Sequence, residues 1–142
     1  SYQRFHMSKG WYDIAYHFII DLNGNIYQGR STVCPGDTFT SYDPVGHLLI
    51  MLDGNFEEQY PTKEALSSLS DLISYGKQTY GVKDSEVFLH KQLASTACPG
   101  SHLENVMTVM TEESTSTEVY QLKFLDEEVS KERLFQIENG KR

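Results

Sequence analysis

Two residues in the second half of the sequence have side chains suited to binding a soft metal ion. His90 closes the apolar run Val87-Phe88-Leu89, and Cys98 follows eight residues later, in a loop tightened by Pro99-Gly100. Neutral imidazole and thiolate are ligand types that zinc prefers, and a strand end followed by a returning loop can bring both to one point. The pair alone is a weak signal, because zinc normally takes at least three protein ligands and a lone histidine is more often a buried, hydrogen-bonded residue. Four other histidines are present, His6, His17, His47 and His102, together with a second cysteine, Cys34 between Val33 and Pro35. Cys34 reads first as a small buried hydrophobe and second as a further thiolate ligand.

Three more side chains are candidates for polar chemistry. Tyr16 lies in an alternating segment, where a phenol either packs in the core or donates to a developing oxyanion. His17 is its neighbour, so the two side chains point to opposite faces and at most one faces a given site. Arg30 follows Gly29 at a strand end, a place for a surface salt bridge or for a clamp on a substrate carboxylate.

These residues need a frame. Residues 1–12 read as a short helix ending at Lys9-Gly10. Residues 14–20 alternate as a strand, with Tyr16, Phe18 and Ile20 on one face and His17 and Ile19 on the other. Asn23-Gly24 predicts a hairpin into a second strand at Ile26-Tyr27. Residues 31–46 hold Pro35, Gly36, Pro44 and Gly46 and form a long loop. The run 47–52 (HLLIML) suggests a buried central strand. Leu66, Leu69, Leu72 and Ile73 recur at helical spacing between Thr62 and Tyr80, with Gly81 where a C-cap glycine belongs. Val87-Phe88-Leu89 reads as another strand, and 101–110 as a helix. Residues 1–110 thus form one domain, 111–117 (TEESTST) a polar linker and 118–142 a tail without an assigned role.

Composition excludes several partners. With 12 basic and 20 acidic residues the formal charge is −8, which repels nucleic-acid backbones and anionic membrane surfaces. No apolar run reaches the roughly 18–20 residues that span a bilayer, and no signal peptide stands at Ser1.

Taken in order, the motifs resemble a known family. His6-Met7-x-x-x-Gly10-Trp11-Tyr12-Asp13-Ile14-Ala15-Tyr16-His17-Phe18 and Asp21-x-Asn23-Gly24-x-Ile26-Tyr27-x-Gly29-Arg30 resemble the amidase-2 and peptidoglycan-recognition proteins. So do Gly46-His47-Leu48-Leu49 with Asp53-Gly54-Asn55-Phe56, the helix between Pro61-Thr62 and Tyr80-Gly81-Val82, and His90 with Thr96-Ala97-Cys98-Pro99-Gly100. The resemblance implies an α/β fold, a central mixed β-sheet flanked by helices. It also implies a zinc ion on two His and one Cys, and hydrolysis of the amide between N-acetylmuramic acid and L-alanine. His90 falls on the second His ligand and Cys98 on the Cys ligand. Tyr16 falls on the catalytic tyrosine of the phage enzymes, and Thr96 on the position where those enzymes have a catalytic lysine and many relatives a threonine. Arg30 and His17 are expected at the substrate. A zinc with an open position brings the pKa of its water toward about 7, and Tyr16 and Thr96 would donate to the oxyanion.

The sequence departs from the family pattern in two places. The family's first His ligand lies on a strand that precedes the segment matching Ser1, and His6 matches a position that is not a ligand. His102, His17, His47 and Cys34 are the available substitutes, and 111–142 contains neither His nor Cys. Weak zinc binding and an exposed sheet edge are therefore expected. Second, Cys34-Pro35-Gly36-Asp37-Thr38 stands where many members have a Gly-Ala-His-type stretch lining the groove. The alternative to hydrolysis is a muropeptide-binding module of the same fold. Either substrate places the protein outside the cell or in its envelope.

Overall fold

Phe18–Ile20 (β1) is buried along its whole length because strands flank it on both sides. The computed structural model describes residues 2–113. Ile26–Gln28 (β2) pairs antiparallel with β1, Ile19 opposite Tyr27. Ile50–Leu52 (β3) pairs parallel on the other side, Phe18 opposite Ile50. The sheet is mixed, in the order β2-β1-β3. Among the described residues the apolar run at 47–52, expected to be central, forms the half-buried strand β3 and pairs on one side, with β1. Among the same residues β1 is the strand with two partners.

The β1–β2 turn follows from local chemistry. Gly24 adopts φ +81°, which a glycine tolerates at no steric cost. Asp21 organises the turn: Oδ1 accepts from the Asn23 and Asn25 amides, both at 2.9 Å, and Oδ2 accepts from the Asn25 side chain and the Tyr27 hydroxyl.

Tyr2–Ser8 forms α1, and Lys63–Tyr80 forms α2. The buried positions of α2 are Ala65, Leu69, Leu72 and Gly76, a stripe with the helical period. Ala65, Leu69 and Leu72 pack on Phe18 and Ile20, together with Phe56, Leu103 and Met107. Each of the leucine, isoleucine, phenylalanine and methionine side chains contributes roughly 1.5–3 kcal/mol on full burial. At the start of α2 the Thr62 hydroxyl accepts from the Ala65 amide (3.1 Å) and donates to the Leu22 carbonyl (2.6 Å). Thr62→Ala should therefore lower stability by about 1–2 kcal/mol, read as a shifted urea midpoint with unchanged slope. Gly81 ends the helix in the left-handed conformation, φ 70°.

Val87-Phe88-Leu89 does not join the sheet. A single 3₁₀ turn, Asp84–Glu86, precedes it, and Val87 and Leu89 pack against the core from outside the ladder. His90 consequently opens a four-residue helix, His90–Leu93 (α3), rather than closing a strand. The last helix, α4, runs Ser101–Glu113. The polar residues 111–113, expected in a linker, are thus helical, and the remainder of that linker and the tail lie outside the described residues. Among the described residues no helix is long and apolar enough to cross a membrane.

Candidate functional site

Three loops converge beside the start of β1. Tyr16 stands two residues before the strand, and its carbonyl accepts from the Arg30 amide at 2.8 Å. Burial pushes its phenol above the ordinary tyrosine range, reinforced by Cys98 and then Tyr42, which lie close enough to act on it electrostatically. Tyr16 therefore carries its proton at neutral pH and is a hydrogen-bond donor. Its neighbour in the other direction is His6, whose ring meets it edge-on at 5.7 Å. His6 in turn lies 4.7 Å from the Trp11 ring, and Trp11 lies 6.0 Å from Phe39.

The second loop supplies His90 and Cys98. The Cys98 carbonyl accepts from the Lys91 amide at 3.0 Å, which pins the returning loop to the first turn of α3. Thr96 Oγ1 accepts from the Cys98 amide at 3.2 Å, so Thr96 shapes the turn that presents the thiol. Gly100 docks this loop: a Cβ there would come within 2.5 Å of the Phe56 backbone. Glu57 closes the arrangement by accepting from the amide and the hydroxyl of Ser101. Partial removal from water raises the Cys98 thiol above its ordinary value and lowers the His90 imidazole. At neutral pH the pair is thus a neutral imidazole and a thiol. Both cysteines are free and exposed.

The third loop, 31–46, brings residues that no sequence motif singles out. Thr40 Oγ1 lies 3.1 Å from His90 Nε2. The Tyr42 ring meets His90 edge-on at 5.8 Å and His47 at 5.3 Å. Nothing local in the sequence marks Thr40 or Tyr42; both act through contacts some 50 positions away.

Two expected substrate contacts are also engaged within the fold. His17 is 1 % exposed. The Leu49 amide donates to its Nδ1 (2.9 Å), so the ring proton is on Nε2, which donates to the Cys34 carbonyl (2.9 Å). Both nitrogens are committed inside the fold, so the His17 ring ties the third loop to the start of β3. Arg30 donates from Nε to the Ile14 carbonyl (2.8 Å), from Nη1 to Pro35 (2.8 Å) and from Nη2 to Asp13 (3.3 Å). Its guanidinium joins the first and third loops, and a substrate carboxylate would meet only what remains of its five N–H donors.

The donors for zinc do not make a full set. His90 and Cys98 are of the right type, but among the described residues no group of three His, Cys, Asp or Glu side chains is placed to hold an ion. Cys34 instead supports His17 through its carbonyl. His102 stacks on Tyr60 at 4.0 Å and donates from Nδ1 to the Gln59 carbonyl. The described residues do not fit a complete zinc site.

Burial holds His17 below the ordinary histidine value of about 6.5, and His6, which accepts from the Ala15 amide at Nδ1, is lowered by burial and by Arg30. As the pH falls below about 6.5 the unfolded chain takes up these protons before the folded one does. Their contribution is therefore complete above pH 6.5 and declines as the pH drops toward the folded values. Urea midpoints should fall between pH 7 and 5.5, above the range where carboxylates titrate; a flat profile over that interval would contradict the neutral, bonded histidines.

A mixed sheet backed by helices, with Tyr16 brought beside the loop that carries His90 and Cys98, defines an amidase-type fold. The family model described as N-acetylmuramoyl-L-alanine amidase (Amidase_2) matches residues 1–101, and the chain belongs to that family. It is 40 % identical over 103 residues to peptidoglycan-recognition protein SD of Drosophila melanogaster, a match covering 71 % of this chain and 55 % of that protein. The chain thus spans about half the length of such curated relatives. Its fold is similar to the N-acetylmuramoyl-L-alanine amidase LysC from Clostridium intestinale, with TM-score 0.68 and 30 % identity over 76 % of this chain and 72 % of that one. It is also similar to human PGRP-IBETAC in complex with glycosamyl muramyl pentapeptide, with TM-score 0.61 and 27 % identity over 75 % and 66 % of the two chains.

Proposed function

We propose that this chain binds muropeptide units of peptidoglycan at the cleft formed by Tyr16, Tyr42, His90 and Cys98, and does not hydrolyse them with the described residues alone. The observation that carries this reading is the gathering of those four side chains with no third metal ligand beside them among the described residues. Phenol donors suit the amide carbonyls of a peptide stem, and aromatic faces suit the apolar faces of sugars. The human relative solved with a muramyl pentapeptide supports the same ligand class. Such a ligand implies a secreted or envelope location. The net charge of −8 argues against a nucleic-acid partner.

The second reading is a zinc-dependent N-acetylmuramoyl-L-alanine amidase. It is favoured by Cys98 lying close enough to the protonated Tyr16 to act on it electrostatically, with His90 reaching the same cluster through Tyr42, and it requires a further ligand from outside the described residues.

One experiment separates the two. Incubated with purified peptidoglycan, the protein should sediment with it and release no L-alanyl peptides, with or without chelator. Peptide release that a chelator abolishes, or equimolar zinc retained after dialysis, would establish the amidase reading instead. Failure to sediment, with no release, would defeat both.

A further inference from the structure

An imidazole at a binding site must be held in one orientation and one tautomer, and a partner on its second nitrogen does both. At the end of α3 the His90 carbonyl accepts from the Ala94 amide, a bond that leaves its ring unheld. The ring is held from the long loop. His90 Nε2 lies 3.1 Å from Thr40 Oγ1, which lies 2.7 Å from Thr38 Oγ1.

The loop is bent to allow this. In an extended chain the side chains of residues i and i+2 share a face but are separated by about 6.6 Å, twice the rise per residue. Phe39, between the two threonines, has φ +52°, the left-handed region that an aromatic residue rarely adopts. Asp37 supports the bend by accepting from the Phe39 amide at 2.9 Å. The turn brings the two hydroxyls together and leaves the Phe39 side chain 84 % exposed. Such strain persists only where the surroundings impose it, and here the bend serves the threonine pair.

We propose that Thr40 is the positioning residue for His90. Each threonine hydroxyl has one proton, so the chain Thr38–Thr40–His90 runs in one direction at a time. With Nε2 as donor, the proton sequence is His90 to Thr40 to Thr38, and Nδ1 is left as the acceptor available to a ligand. The loop whose residues 34–38 differ from the family pattern thereby acquires a defined role: it sets which ring nitrogen of His90 meets the ligand. The inference rests on the reading of His90 as part of the muropeptide site.

Two variants test it. Thr40→Val keeps the side-chain shape and removes the hydroxyl, whereas Thr40→Ser restores the hydroxyl. Long-range 1H–15N spectra of the ligand-free protein report the tautomer of His90 directly. Thr40→Val should shift the His90 ring nitrogens toward an averaged tautomer while other histidines keep their signals, and Thr40→Ser should match the parent. Affinity for a soluble muropeptide should fall by about three- to tenfold in Thr40→Val and be retained in Thr40→Ser, the scale of one lost hydrogen bond. Unchanged His90 signals in Thr40→Val would overturn the proposal whatever the ligand does. If the parent protein binds no muropeptide, the functional reading fails, while the tautomer result still decides the role of Thr40.

Discussion

Replacing Gly29 by alanine is expected to lower stability by about 3 kcal/mol or more, beyond the usual range of overpacking substitutions. A Cβ at this position would sit 2.0 Å from the Tyr16 carbonyl oxygen and 3.1 Å from the Ile14 side chain. Neither side can yield easily. The Gly29 amide donates to the His17 carbonyl at 2.6 Å, and the next amide, Arg30, donates to the Tyr16 carbonyl at 2.8 Å. To admit the methyl group the strand end must part from residues 16 and 17, which breaks both bonds and displaces Tyr16 from the cleft. Thermal unfolding with circular dichroism would read the loss. Gly46→Ala is the control: Gly46 has φ +78° and no atom lies within 4 Å of the place its new methyl group would take, so only the backbone cost of about 1 kcal/mol applies. Equal stability of the parent and Gly29→Ala would show that the close approach of these two segments is not maintained in solution.

His17→Phe should cost about 2–4 kcal/mol. The phenyl ring matches the imidazole in shape and apolar area but bonds to neither the Leu49 amide nor the Cys34 carbonyl. A buried backbone group left without a partner costs about 1–3 kcal/mol. Losing the bond to the Leu49 amide weighs more, because Cys34 is exposed and its carbonyl can recruit water. The effect should reach the ladder, since His17 also donates from its backbone amide to the Leu49 carbonyl at the start of the β1–β3 pairing. Hydrogen exchange should accordingly speed up at residues 49–52 more than along α2. His47→Phe is the comparison, since the His47 ring bonds only locally, to the Val45 carbonyl. Comparable losses from the two variants would contradict the account.

How much of this was legible in the sequence depends on the range of the forces involved. The β1–β2 hairpin and α2 were readable because their signals are local: Asn23-Gly24, the period of Leu69 and Leu72, Thr62 at one end and Gly81 at the other. The convergence of Tyr16, His90 and Cys98 followed from the ordered resemblance, not from spacing. What could not be read was pairing. Residues 47–52 are apolar enough for a central strand, yet among the described residues the strand there pairs only with β1, and no strand's own residues state its neighbours. Val87-Phe88-Leu89 is apolar because it packs on the core, not because it joins the ladder. The hydrogen bonds by which His17 and Arg30 tie loops together were not readable either, because polar groups that meet a ligand and polar groups that join loops have the same composition. Thr40 and Tyr42 carry no motif; only the path of the 31–46 loop brings them to His90.

Trp11 is the single tryptophan of the chain, and it stands between His6 and the outward-facing Phe39. An indole in that place is a built-in optical reporter. Its emission is sensitive on one side to the charge of a neighbouring imidazole, since a protonated ring quenches an indole, and on the other to the position of the loop that holds Thr40. Fluorescence of the unlabelled protein thus follows the cleft through titration, ligand addition and unfolding, with no other indole to blur the signal.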